Sequence, residues 1–143
     1  MNRVLTLLIL IALAAAYYVG LVFTIGVLSS IQFPWRPYVG KPALAVYAVA
    51  GLEHAFAVAA VASVIAVAVT LRFRTQPFTF GLLAAAPAAF IHAWSVLQAS
   101  TGVHLSLGFM AAAAQAFVLV LLFPAVLTVV LTRLISNNSF KRM

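Results

Sequence analysis

Six side chains in this sequence offer chemistry beyond packing: Tyr17, Tyr18, Glu53, His54, His92 and Gln115. Glu53 is the only acidic residue among 143, and it stands inside the apolar run "GLEHAFAV", residues 51–58. A carboxylate in such surroundings is costly unless it is neutral or paired, which makes it a functional candidate by default. Histidine is a natural companion, because imidazole exchanges a proton near neutral pH. Glutamate, histidine and tyrosine at one depth are the material of a proton relay. Two imidazoles on separate helices offer a second chemistry, the axial ligation of a b-type haem by His54 and His92.

Other chemistries find less support. Glu53 and His54 are adjacent and lie about 100° apart on a helix, so they do not easily converge on one ion with His92. His104 lies too shallow to join them, and no metal site is expected. Ser95 is within a turn of His92, but no second base or oxyanion donor set accompanies it. The seven glycines are scattered and form no phosphate loop, and cysteine is absent. Thiolate metal sites, disulfides and thiol redox chemistry are thereby excluded. The chain is not expected to be an enzyme, no cofactor is required, and it matches no family pattern.

The elements that carry these residues follow from composition. Hydrophobic residues make up 66% of the chain and charged residues 6%. A soluble domain is nearer ~45–50% apolar and ~25% charged. So few charges cannot furnish a water-facing surface, and the class is integral membrane. Four apolar segments stand out, at residues 4–31, 43–71, 78–103 and 105–132, followed by a basic tail at 133–143. Each exceeds the ~20 residues that cross a hydrocarbon core of ~30 Å. The start "MNRVLTLLILIALAAA" resembles a signal peptide, but the apolar run continues to Ile31, so an uncleaved first helix is expected. The connections are short, which predicts a single domain folded as an up-down-up-down bundle of four transmembrane helices.

The formal charge of +7 comes from eight Lys and Arg against Glu53. The basic residues sit at the ends of apolar runs, without interleaved stacking aromatics, so they suit headgroups and not nucleic acid. Arg3, Arg72, Arg74, Arg133, Lys141 and Arg142 fall on one side of such a bundle; only Arg36 and Lys41 fall on the other. The positive-inside rule then predicts both termini in the cytoplasm of a plasma membrane, a bacterial inner membrane. The loop "QFPWRPYVGKP" and the His104 turn would face outward.

Counting inward from the outer ends, Glu53, His92 and Gln115 each lie about ten residues deep, roughly 15 Å down. Tyr17 and Tyr18 fall slightly deeper. The expectation is one mid-membrane polar layer, with Glu53 opposite His92, Gln115 across from it, and His54 the less certain member. The alanines and glycines on the same faces allow close helix approach, whereas Trp94 should face lipid or a partner. Pro87 frees the carbonyl of Leu83, and Pro124 that of Val120. The preferred functional expectation is a non-enzymatic accessory subunit, a partner of other membrane-protein subunits or of itself. The alternative is a proton-linked transporter or channel component using Glu53 and His92.

Overall fold

The computed structural model describes residues 3–31, 43–100 and 107–140, with side chains described for 3–31, 48–98 and 107–137. It is all-helical: α1 (Arg3–Ser30), α2 (Ala43–Arg72), α3 (Pro77–Ser100) and α4 (Leu107–Phe140). All four contain a stretch long and apolar enough to cross a membrane. The Pro-Trp loop and His104 lie outside the described residues.

Pro77 opens α3, where its missing N–H costs nothing and its fixed φ suits the first helical turn. The preceding tight turn is held by Phe73, buried and stacked on Phe80 with ring centroids 4.1 Å apart. At the other end of the chain, α4 continues through Phe140 instead of giving way at residue 133 to a separate tail. No proline or glycine interrupts "RLISNNSF", so the polar segment prolongs the helix beyond its apolar stretch.

Around the bundle the order is α1, α2, α4, α3. Helix α4 packs on α2 and α3, and α1 packs on the same two. Helices α1 and α4 therefore lie on one diagonal, α2 and α3 on the other. The core is built from small residues: Ala62 and Ala66 on α2, Ala84, Ala85, Ala88 and Ala89 on α3, and Ala125 on α4 are all buried. Lipid tails are as apolar as leucine, so membrane helices gain by close backbone approach. At Gly81 the approach is to backbone: an added Cβ would lie 2.7 Å from the Cα of Ala125.

This packing occupies only part of the bundle's length. No described residue before Ala57 on α2, after Ala89 on α3 or before Val120 on α4 is buried. The bundle has a packed half, which includes the α2–α3 turn, and an open half. Glu53, His54, His92, Ser95 and Gln115 all belong to the open half.

Candidate functional site

Tyr17 marks the floor of the open half. It is fully buried, and its hydroxyl donates to the Val120 carbonyl at 3.0 Å. That carbonyl is available because Pro124, four residues later, has no N–H to give it. One proline on α4 thus creates an acceptor, and one tyrosine on α1 satisfies it across the diagonal. Below this level the threonines do similar work. The Thr70 hydroxyl donates to the Thr128 carbonyl at 3.3 Å, and the Thr128 hydroxyl to the Pro124 carbonyl at 2.6 Å.

The other diagonal is crossed by histidines. The rings of His54 on α2 and His92 on α3 have centroids 5.2 Å apart and planes inclined at 50°. Nε2 of His92 is buried and has no hydrogen-bond partner among the described residues. Both rings line a cavity of about 140 Å³ with Tyr18, Ala88, Ser95 and Val120. Ser95 spends its hydroxyl proton on the Ile91 carbonyl of its own helix, at 2.9 Å.

Glu53 lies elsewhere. It shares a second cavity, of about 180 Å³, with Ile25, Leu28 and Ser29 of α1, and with Ala50 and His54. Gln115 is exposed and lies against α2 at Gly51, where an added Cβ would be 3.9 Å from either terminal amide atom. Five of the six candidates therefore fall into three groups: Tyr17 with Val120, His54 with His92 and Tyr18, and Glu53 with the end of α1. Gln115 faces Gly51, outside all three. His54 is the ring beside His92.

Helix α2 has 30 residues, more than a bilayer core requires. Its Glu53 lines a cavity with Ser29, near the end of α1.

A haem held by both imidazoles would need the His54 and His92 rings further apart than they stand here. A porphyrin plane would have to lie between two rings already 5.2 Å apart, and the adjoining space is about 140 Å³. Even drug-sized ligands take pockets of about 300 Å³ or more. Among the described residues no group of three or more His, Cys, Asp or Glu is placed to hold a metal ion. What the arrangement offers is proton exchange: a carboxylate, two imidazoles and a phenol border two adjoining cavities.

Sequence reasoning passed over Ser29, Gly81 and the Thr70–Thr128 bond. Proline arithmetic had already marked the Val120 carbonyl as free, and Tyr17 was a candidate at similar depth. Joining the two needed the helix order around the bundle, which no sequence feature supplies.

The described residues form an all-helical bundle of four helices, each long and apolar enough to cross a membrane, which makes the class integral membrane. No protein-family model, no characterised protein and no solved structure matches the chain.

Proposed function

We propose that this chain is a small component of a proton-linked membrane transport or channel assembly, with Glu53, His54 and His92 carrying the proton. One observation carries the reading: the His54–His92 pair, with Nε2 of His92 buried and unpartnered, borders a cavity next to the one that holds Glu53. An ionisable side chain inside a membrane is kept at a cost, and it ordinarily faces the bundle interior or a water-filled cavity. No chemical transformation is assigned to the site.

In this reading the helices alternate in direction, with both termini in the cytoplasm of a plasma membrane, as in a bacterial inner membrane. The close approach of Gly20 to Val61, and of Ser29 to the Ala50–Glu53 turn, supports an antiparallel α1–α2 pair. The basic residues at the α2–α3 turn and near both termini support the orientation.

The test is proton flux into proteoliposomes under an imposed pH gradient and a potassium–valinomycin diffusion potential. The wild-type chain should conduct above empty vesicles, and Glu53→Gln should abolish the excess without loss of helix content. Flux that is unchanged in Glu53→Gln counts against the reading.

A second reading is favoured by a different observation. The buried polar bonds, Tyr17 to Val120 and Thr70 to Thr128, serve helix association, while Phe56, Phe90 and Trp94 point outward. On that basis the chain is a non-enzymatic accessory subunit of a larger membrane complex, and Glu53 acts as a clamp. Glu53→Gln would then reduce recovery of co-purifying subunits from native membranes.

A further inference from the structure

We infer that the open half of the bundle is a one-sided aqueous recess, which admits water and hydrated protons from the end bearing the α1–α2 connection as far as His92. The inference takes its purpose from the proton-linked reading and its geometry from the cavities.

The two cavities, about 180 and 140 Å³, have His54 and Ile25 as a common wall. A water molecule occupies ~30 Å³ in the liquid, so each has room for several. Water fills a cavity only where polar partners converge. The first offers Glu53, Ser29 and His54; the second offers His54, His92 and Tyr18. Nε2 of His92, buried without a partner among the described residues, is the polar atom that a water at the bottom of such a recess would satisfy.

The geometry also closes the recess. Val120 lines the second cavity, and its carbonyl is already taken by the Tyr17 hydroxyl. Tyr17 is fully buried, and the alanines beside it, Ala62, Ala84 and Ala85, are sealed as well. Below that level the next buried polar side chains are Thr70 and Thr128, both committed to helix carbonyls. Among the described residues, both polar side chains buried below that level are therefore already bonded. Burial on α2, α3 and α4 stops where the cavities begin, so the entrance and the packed floor are two ends of one gradient of packing.

The chain contains no cysteine, so single thiols can be introduced into the full-length protein without background. Ala88 and Ala84 form a matched pair. They lie one turn apart on α3 and are 2% and 0% exposed, yet of the two only Ala88 lines either of these cavities. Sealed vesicles of known orientation would be treated with silver ion, a small water-borne thiol ligand. After unfolding, the remaining free thiol would be read by the mass shift on maleimide labelling. Ala88→Cys and Ser29→Cys should lose their free thiol when silver is added on the side of the α1–α2 connection. Ala84→Cys should keep it from either side. Ser95→Cys, nearly isosteric, replaces Ala88→Cys if that variant does not fold.

Three results would overturn the recess. Ala88→Cys could resist silver as fully as Ala84→Cys does. It could react only with a bilayer-soluble maleimide, which would mean lipid chains fill the groove. It could react equally from both sides. Proton flux separates this inference from the functional one. Protection of Ala84→Cys alone, with no flux, removes the proton-linked reading and leaves the recess. Flux with an unreactive Ala88→Cys does the reverse.

Discussion

Pro124 withholds one amide proton from α4, and Tyr17 supplies a hydroxyl proton in its place. At the scale of single residues this exchange yields a sharp prediction. Tyr17→Phe leaves the Val120 carbonyl buried without a donor and should cost about 1 kcal/mol, within the range of interhelical hydrogen bonds in membranes. Pro124→Ala restores a backbone N–H four residues from Val120, so the same Tyr17→Phe change should then cost less. A double-mutant cycle read by unfolding in mixed micelles should show coupling of at least ~0.5 kcal/mol. Independent, additive effects would mean that Tyr17 and Pro124 do not share that carbonyl. The candidate residues themselves were legible, because an acid or a histidine in an apolar run announces itself. Their partners were not. In a helix apolar on every face, no polar stripe fixes the rotation, so the sequence does not decide which neighbour Glu53 meets.

At the scale of the helices, length and class were legible from hydropathy, and proline marked the start of α3. The ends were less so. Helix α4 runs on through polar residues because loss of hydrophobicity ends a membrane span without ending a helix. Packing depends on a contact that composition does not reveal. At Gly81 an added methyl meets the Ala125 backbone, which has no rotamer to escape into, whereas at Gly26 it meets nothing within 4 Å. Gly81→Ala should therefore destabilise the α3–α4 pair by about 1–3 kcal/mol. Gly26→Ala should be neutral, or stabilising by up to about 1 kcal/mol through helix propensity. Thermal unfolding of the two variants in the same detergent checks both. Equal melting temperatures would contradict the close α3–α4 approach.

At the scale of the whole molecule, packing is uneven: one half is sealed by alanine and threonine, and the other is left open around polar side chains. A bundle whose only task is to hold its own helices together gains nothing from that asymmetry. The charge distribution predicts that both termini lie on the cytoplasmic side. A reporter fused after Met143 should be active only in the cytoplasm, and periplasmic activity would reverse the orientation of the recess. In the proposed proton-linked function, His54 and His92 act as one proton-exchanging unit above the Tyr17 floor. Proton flux of reconstituted His54→Phe, His92→Phe and the double variant, each checked for helix content and melting, tests it most directly. Either single change should abolish the flux as completely as the double change. Wild-type flux no faster than that of empty vesicles, or single variants that conduct like wild type, would contradict the account.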